Sequence, residues 1–297
     1  MANEHPFQDR RLIDAWTDAL AHKDLGEPSE PHTPRLAYHD TEFMMRPEAR
    51  GIRLQLELLK PDLAQQQAGI NHTVVVFGSA RIKSPEDAQR ELERAQAQGD
   101  AHAITHATRL VRNAAYYDAA RRFAHLVCAY NQTCTRPDQQ LHICTGGGPG
   151  IMEAANRGAH EVGSPNVGLN IALPHEQHPN PYISPHLSFN FHYFALRKLH
   201  FMLRAKALVA FPGGFGTLDE LFEIITLVQT QKSKPTPIVL YGSDFWQRLI
   251  NFDLLCEAGM ISPSDLDLFE FVDSPEDAWH AIQRFYLLDS EASNETT

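Results

Sequence analysis

The sequence predicts an α/β protein with a doubly wound, mostly parallel Rossmann-like sheet and helices on both of its faces. The first observation is a set of short β-branched runs such as Thr73–Phe77, which are typical of strands buried on both faces. The second is their alternation with longer segments of helical period, which favours parallel strands joined by helices. The third is that three runs lead into turns of glycine or small residues, where ligands collect in such sheets.

Seven runs are predicted as strands, and two of them, Leu187–Phe191 and Phe269–Val272, have weaker patterns than the rest. The five stronger strands are Thr73–Phe77, Leu141–Cys144, Val167–Ala172, Leu208–Phe211 and Pro237–Tyr241. The helices predicted between them are Ala101–Tyr130, Ile151–Val162, Tyr193–Ala205, Leu218–Gln231, Asp244–Ala258 and Pro275–Leu287.

The chain divides by its patterns into a helical N-terminal extension (residues 1–70), a Rossmann-like domain (71–289) and a polar tail (290–297). The charged, alanine-rich residues 84–112 are predicted as a solvated helical insertion after the first strand. Chemical motifs occur only in the Rossmann-like domain. The extension is therefore interpreted as a structural cap.

Two amphipathic helices are expected in the extension, at Arg11–His22 and Ile52–Ala64, with the proline-rich stretch Glu27–Pro34 between them. Pro61 lies inside the second pattern. Because proline lacks an N–H and its ring clashes with the preceding turn, we expect Pro61 to interrupt that helix.

Composition excludes several classes of function. A chain of 297 residues that is 43% hydrophobic can bury a full core, and no apolar run approaches the length of about eighteen residues that a membrane span needs. The N-terminus lacks the pattern of a secretory signal, and four cysteines without a CxxC pair are typical of a reduced, cytoplasmic protein. A net charge of −11 argues against binding a nucleic-acid polymer, but not against binding a small anion.

Two dense glycine turns are the main functional signal. Thr145–Gly150 and Pro212–Thr217 each follow a predicted strand and precede a helix. Glycine lets the backbone approach an anion closely, and the helix that follows directs free N–H groups and partial positive charge at it. Neither turn matches G-x-G-x-x-G or ends in G-K-[ST], which argues against a dinucleotide fold and a P-loop. A mononucleotide is therefore the favoured ligand. The alternative is that both segments are tight strand-to-helix turns that bind no ligand.

The charged residues near the second turn can also be explained by structural roles rather than by function. Thr217 and Glu220 fit a capping box at the start of a helix. A carboxylate in that first turn would be repelled by a bound phosphate, which favours a contact between Glu220 and the ribose. Arg197 and Lys198 interrupt an apolar helical segment, and could simply form a solvated basic face.

These residues together resemble the LONELY GUY family of phosphoribohydrolases, whose members were often labelled lysine decarboxylases. The resemblance rests on TGGGPGIMEAANRGA (145–159), on PGGFGTLDE (212–220) and on the Arg-Lys pair upstream, and it covers roughly residues 70 to 260. The family's catalytic arginine falls on Arg197 and its catalytic glutamate on Glu220. Residues 1–70 and 84–112 lie outside the compact plant-type pattern and resemble the longer bacterial branch. That branch acts on AMP or purine nucleotides more generally, whereas plant-type members release cytokinins.

The resemblance implies a nucleotide-binding catalytic domain that hydrolyses the N-glycosidic bond of a nucleoside 5'-monophosphate. Glu220 would stabilise the positive charge that develops on the ribose, and Arg197 would act electrostatically because a guanidinium stays protonated. Ser79 and Arg81 could reach the nucleotide from the first strand, although a surface Arg81 is an equal alternative, and Glu153 could merely complement a helix dipole. The predicted substrate-binding residues are Ser79, Arg81, Gly146, Gly147, Gly148, Glu153, Lys198, Gly213, Gly214, Gly216 and Thr217.

Rival functions need different features. The string His175-Glu176-Gln177-His178 suggests a metal site, but it lies in a proline-rich loop without an H-E-x-x-H helix, so no metal is expected. A decarboxylase would need pyridoxal phosphate on a lysine, and no cofactor is expected either. A non-catalytic nucleotide sensor or carrier of the same fold is the remaining alternative. The resemblance also implies a homo-oligomer with the active site near a subunit interface.

Overall fold

A computed structural model of the chain describes residues 36–172 and 178–288. The chain divides into two compact units, with the boundary between Leu56 and Glu57. The predicted helix Arg11–His22, the stretch Glu27–Pro34 and the polar tail lie outside the described residues. The assignment of residues 1–70 to a structural cap stays a prediction.

In the described part of the first unit, a short helix spans Thr41–Met45 (α1), and the Asp40 carboxylate caps it by accepting the N–H of Phe43 at 3.0 Å. The Arg53 guanidinium donates hydrogen bonds to the carbonyl oxygens of Met44 and Arg46. Side-chain caps of this kind satisfy backbone groups that a short helix leaves free.

The second unit contains a sheet of seven parallel strands, as the sequence predicts. Both weaker patterns are confirmed as strands. The strands, in chain order, are β1 His72–Phe77, β2 Leu141–Thr145, β3 Val167–Ile171, β4 Ser188–Phe191, β5 Ala205–Ala210, β6 Ile238–Tyr241 and β7 Glu270–Val272.

The strand order across the sheet is β4-β3-β2-β1-β5-β6-β7, which confirms the doubly wound Rossmann-like class. The chain first proceeds outward from β1 to β4 and then returns, so that β5 pairs with the other side of β1. The direction therefore reverses between β1 and β5. Ligands of such sheets bind at this switch point, outside the carboxyl ends of the strands.

The central strand is buried on both faces because its side chains alternate between two cores. Val74 and Val76 contribute to a core with Phe123, whereas Val75 and Phe77 contribute to another that includes Phe201 and Trp246. This arrangement explains why β1 is a continuous apolar run rather than an alternating one.

Helices cover both faces, and most of the predicted ones are present with shifted ends. None of the helices in residues 36–172 and 178–288 combines the length and apolar character needed to cross a membrane. Beyond α1, their bounds are α2 Arg50–Gln67, α3 Pro85–Gln98, α4 Ala101–Thr133, α5 Ile151–Glu161, α6 Phe194–Leu203, α7 Phe215–Gln229, α8 Ser243–Leu249, α9 Phe252–Glu257 and α10 Pro275–Tyr286.

One predicted helix is in fact two. Asp244–Ala258 was expected to be continuous, but Ile250 has an extended backbone and separates α8 from α9. The side chain of Asn251 then accepts the N–H of Leu254 at 3.1 Å and caps the second helix. A local cap thus overrides a continuous helical period.

The expected break at Pro61 is wrong, since α2 runs unbroken from Arg50 to Gln67 with Pro61 inside it. Proline removes the N–H that would otherwise bond to the carbonyl four residues earlier, which is that of Glu57. The ring nitrogen Nε2 of His200 lies 3.1 Å from this carbonyl oxygen and takes the place of the missing donor. A tertiary contact therefore offsets the loss within the helix.

The predicted insertion at residues 84–112 forms a helical hairpin from α3 and the first part of α4. Ser84 caps α3 by accepting the N–H of Asp87, and Gly99 ends it with a φ of +68°. Asp100 then caps α4. Ala88 and Ala95 are buried, so α3 packs one face inward while its charged face is solvated.

Candidate active site

The loops that follow β1, β2 and β5 meet at the switch point of the sheet. The backbone of Ser79 connects them, because its N–H donates to the Pro212 carbonyl at 3.0 Å and its carbonyl accepts the N–H of Ile151 at 3.2 Å. A side chain at Gly150 would lie 2.3 Å from the Ser79 carbonyl oxygen, so only glycine permits this approach. The three small-residue turns found in the sequence are therefore brought together.

The first glycine turn, Thr145–Gly150, is held by its own neighbours. The N–H of Gly147 donates to Oγ1 of Thr145 at 3.0 Å, and its carbonyl accepts the N–H of Asn180 at 2.9 Å. Gly147 has a φ of +72°, and a Cβ there would lie 2.0 Å from Oδ1 of Asn170. The amide of Asn180 also donates to the Gly148 carbonyl at 3.1 Å. Several carbonyl groups of this turn and the N–H of Gly147 are thus engaged within the protein, whereas the N–H groups of Gly146, Gly148 and Gly150 have no acceptor among the described residues.

A buried asparagine network supports the first glycine turn. Oδ1 of Asn156 accepts the Thr145 hydroxyl at 2.6 Å and the Asn180 amide at 3.0 Å, and its own amide donates to Asn166 at 2.8 Å. Asn156 is fully buried, and its polar atoms are satisfied as buried polar groups must be. Sequence reasoning missed this network. An asparagine at a position of α5 that faces the core was the available signal.

The second glycine turn, Pro212–Thr217, is built differently. Helix α7 begins at Phe215 with Gly214 as its N-cap and no side-chain cap. Thr217 is thus the third residue of the helix, and the capping-box alternative for Thr217 and Glu220 is wrong. The Thr217 hydroxyl instead lies where a Cβ at Gly213 would be, at 2.1 Å, so glycine is required at position 213.

Four successive backbone N–H groups of the second turn have no acceptor among the described residues, whereas the N–H of Thr217 bonds to the Gly214 carbonyl at 3.0 Å. In the described ranges 36–172 and 178–288, nothing accepts a hydrogen bond from the N–H of Gly213, Gly214, Phe215 or Gly216. Gly214 and Gly216 are exposed, with open space where a side chain would be. These N–H groups lie at a helix N-terminus, so the turn can bind an anion.

Arg197 lies on α6 and directs its guanidinium into the protein rather than into solvent. Its Nε donates to the Leu169 carbonyl at 2.7 Å, its Nη2 lies 3.4 Å from the Gly146 carbonyl oxygen, and it covers the Phe201 ring at 5.2 Å. A Cβ at Gly146 would collide with Nη2. Burial lowers the pKa of Arg197 and the charge of Glu220 raises it, but a guanidinium remains protonated.

Lys198 is engaged in ion pairs with α7. Its Nζ lies 2.8 Å from Asp219 and 3.0 Å from Glu223, both on α7. These contacts join α6 to α7. The predicted contact between Lys198 and substrate stays a prediction.

Glu220 is the buried carboxylate of the site, with 5% of its surface exposed. Burial raises the pKa of Glu220 to about 7, against the opposing charges of Arg197 and Lys198. Within the described part of the chain, no group donates a hydrogen bond to this carboxylate. A desolvated acid in the electrostatic field of a half-buried arginine is typical of catalytic sites rather than of helix caps.

The remaining predicted residues surround these turns. Oγ of Ser79 accepts the N–H of Arg81 at 3.1 Å, while the Arg81 side chain is exposed. Glu153, in the first turn of α5, accepts the hydroxyl of Tyr117 at 2.8 Å. Tyr117 is a partner that the sequence did not suggest, because it lies 36 positions earlier in α4.

No group of three or more His, Cys, Asp or Glu side chains in the described residues could hold a metal ion. His175, Glu176 and Gln177 of the candidate histidine string lie outside those residues. The four cysteines are free thiols, and Cys128 and Cys144 are buried.

Comparison with known proteins adds independent information. A family model described as "Possible lysine decarboxylase" matches residues 152–282, which include Arg197 and Glu220. A probable cytokinin riboside 5'-monophosphate phosphoribohydrolase of Oryza sativa subsp. japonica is 31% identical over 150 residues, covering 45% of this chain and 60% of that protein. A cytokinin riboside 5'-monophosphate phosphoribohydrolase of Arabidopsis thaliana is 29% identical over 122 residues, covering 40% and 55%. The similarity to the LONELY GUY family is thereby confirmed.

A pyrimidine/purine nucleotide 5'-monophosphate nucleosidase of Escherichia coli (strain K12) is 28% identical over 132 residues, covering 38% of this chain and 28% of that protein. The chain thus spans 60% and 55% of the two plant LONELY GUY proteins and a smaller share of the bacterial enzyme. The X-ray structure of a structural genomics consortium target is 17% identical, covering 72% of this chain and 99% of that chain with a TM-score of 0.41.

Proposed function

We propose that this protein hydrolyses the N-glycosidic bond of a nucleoside 5'-monophosphate and releases the free base and ribose 5-phosphate. The observation that carries the proposal is the position of Glu220. The Glu220 residue is 5% exposed, and its carboxylate has no hydrogen-bond donor among the described residues; it lies three residues after a turn with four N–H groups that are free within the same residues, and within the electrostatic influence of Arg197. The names of the relatives support the same class of substrate.

The phosphate of the nucleotide binds at the second glycine turn. The N–H groups of residues 213–216 have no acceptor among the described residues, there is space beside Gly214 and Gly216, and the start of α7 adds partial positive charge. Thr217 lies inside the turn and can contribute its hydroxyl. Because Glu220 is one helical turn further on, a phosphate held here places the ribose near its carboxylate.

Glu220 and Arg197 act on the ribose in different ways. As the bond from C1' to the base nitrogen breaks, positive charge develops on the sugar, and the Glu220 carboxylate stabilises it. The oxygen of a water molecule bonds to C1', and the proton that this water loses ends on the base nitrogen that was bonded to the sugar. The products are the free base and ribose 5-phosphate. Arg197 holds oxygens of the substrate and favours the ionised form of Glu220, since its charge lowers the pKa of that carboxyl.

The base is a purine or a cytokinin, and Ser79, Arg81, Glu153 and the first glycine turn line the nucleotide. Arg81 is exposed in the loop after β1, and Gly146–Gly148 hold the turn beside Arg197.

The alternative is a nucleotide sensor or carrier that binds without cleavage. The half-buried charge of Arg197 and the buried acid Glu220 favour the enzyme, because a binding protein would not need them.

The protein forms a homo-oligomer in the cytoplasm, as its resemblance and its thiol content suggest. Large exposed apolar side chains on α6 and α7, the helices that carry Arg197 and Glu220, support an interface beside the active site. They are Phe194, Leu199, Leu203, Phe215 and Phe222. Analytical ultracentrifugation tests this part of the proposal, and a monomer at micromolar concentration contradicts it.

The decisive experiment is a panel of AMP, GMP, IMP, CMP, UMP and a cytokinin nucleotide, with free base and ribose 5-phosphate measured by chromatography. We expect equal amounts of both products from at least one of these nucleotides. Calorimetry on the same samples distinguishes the alternative, since binding without any base release identifies a sensor. An absorbance scan for bound pyridoxal phosphate tests the decarboxylase.

A further inference from the structure

Glu57 on α2 caps the helix that carries Arg197. Its Oε1 accepts the N–H of His192 at 3.0 Å and its Oε2 accepts the N–H of Tyr193 at 3.2 Å. Tyr193 is the N-cap position of α6 and provides no side-chain cap itself. The first N–H groups of a helix lack partners within it, and a carboxylate there also complements the helix dipole. One distant residue therefore closes the start of α6.

The same residue also contacts α6 through its backbone. Pro61 leaves the carbonyl of Glu57 without a helical partner, and Nε2 of His200 lies 3.1 Å from that oxygen. His200 is buried and packs against Phe191 at 5.2 Å. Glu57 thus holds α6 at its N-terminus with a side chain and at its second turn with a main-chain group.

Arg197 lies between these two points of attachment. Its N–H bonds to the Tyr193 carbonyl at 3.2 Å, so the backbone of Arg197 continues directly from the capped residue. Helix α6 contains 10 residues, too few to hold its position without tertiary contacts. Any rotation or slip of α6 would move the guanidinium away from Leu169 and Gly146, where it is now bonded.

We propose that Glu57 is a positioning residue, which fixes the start of α6 so that the Arg197 guanidinium reaches Glu220. Its effect on turnover rests on the proposed function, whereas its effect on the position of Arg197 does not. A displacement of about 1 Å in a positioned catalytic group can cost on the order of a hundredfold in rate.

The surroundings of Glu220 provide a readout of where Arg197 lies. Arg197 and Lys198 lower the pKa of Glu220, whereas Glu223 and Asp219 raise it. If Arg197 moves away, Glu220 loses the positive charge that lowers its pKa the most. The pKa of Glu220 should then rise above its value of about 7, and the acid limb of the rate profile should move to higher pH.

The experiment compares Glu57→Ala and Glu57→Gln with the control Asp62→Asn. Asp62 lies on the same helix and pairs with Arg204 at 2.6 Å, beyond the C-terminal end of α6, so its loss weakens the contact between α2 and this region without removing the cap. We expect Glu57→Ala to lower kcat by about tenfold to a hundredfold with little change in KM, because the phosphate turn is untouched. Glu57→Gln keeps one acceptor oxygen and should recover part of kcat, and Asp62→Asn should retain the wild-type kcat and pH profile.

A titration of Glu220 by carboxyl NMR, without substrate, separates this proposal from the enzymatic one. A higher pKa of Glu220 in Glu57→Ala supports the positioning role even if no nucleotide is hydrolysed by the wild type, in which case only the proposed function fails. An unchanged Glu220 titration together with an unchanged kcat overturns the positioning role. If Glu57→Ala does not fold, as judged by circular dichroism, the same two readouts in Glu57→Gln decide.

Discussion

The two glycine turns look alike in sequence but differ in what occupies their backbone groups. In Thr145–Gly150, the N–H and carbonyl of Gly147 bond to Thr145 and Asn180, and a buried asparagine network supports them. In Pro212–Thr217, four successive N–H groups have no acceptor in the described residues. The first turn is therefore braced by contacts within the protein, and the second presents four successive free donors to which an anion can bind.

This difference shows that glycine density alone does not identify a binding loop. At Gly146 and Gly147, glycine makes room for the side chains of Arg197 and Asn170. At Gly214 and Gly216, it leaves space that no protein atom fills. Only the second situation provides room for a phosphate, since an anion needs both open space and free donors.

The largest effect is expected for the charged pair next to the open turn. Glu220→Gln and Arg197→Ala should fold normally but lose base release by about a hundredfold or more, the range for positioned catalytic groups. Steady-state kinetics with nucleotide, alongside circular dichroism, measures this. Near-normal turnover in Glu220→Gln would show that the second turn serves a purpose other than glycosidic cleavage.

Glu220 should also make stability depend on pH. Its folded pKa of about 7 exceeds the ordinary value of 4.5, so the folded state holds the proton more tightly than the unfolded state. The free energy of unfolding therefore falls as pH rises from about 4.5 through about 7, by up to roughly 3 kcal/mol. In chemical denaturation, Glu220→Gln should lack this loss and exceed the wild type in stability above pH 7. If the free energy of unfolding changes with pH in the same way in the wild type and in Glu220→Gln, the raised pKa of Glu220 is contradicted.

A substitution in the first glycine turn should change the stability of the protein more than its binding of substrate. Gly147→Ala places a methyl group on Oδ1 of the buried Asn170 and forces alanine into a φ of +72°. We expect the free energy of unfolding to fall by about 2–3 kcal/mol. Denaturant titration measures the change, and an unaltered midpoint would mean that the asparagine network is not rigid.

The matched substitution in the open turn should have the smallest effect. Gly214→Ala adds a methyl group where there is no atom within 4 Å, at a φ of −101° that alanine tolerates. Stability should stay near that of the wild type, while the methyl group intrudes on the phosphate and raises KM about tenfold, equivalent to about 1.4 kcal/mol. A loss of stability as large as that of Gly147→Ala would remove the distinction between the two turns.

Much of the fold could be predicted from the sequence because the decisive signals are local. A continuous β-branched run such as Thr73–Phe77 is typical of a parallel strand that is buried on both faces of its sheet. Even the short run at Phe269–Val272 forms a strand, from Glu270 to Val272. Helix ends were predicted less well. A cap at Asn251 and the tertiary partner of the Glu57 carbonyl reversed the expectations at Asp244–Ala258 and at Pro61.

The sequence alone determined the parallel sheet and the two glycine turns after its strands, because these follow from residue types and spacings within a few positions of one another. It named Arg197 and Glu220 as the catalytic candidates through the resemblance of the motifs to a known family. Only the tertiary structure decided that Glu220 is not a helix cap, that the first turn is closed by Asn180, and that Glu57 caps the helix of Arg197. The physical reason is that burial and hydrogen-bond satisfaction depend on partners far away in the chain, such as Glu57 and His200 at 143 positions apart, whose approach no local pattern records.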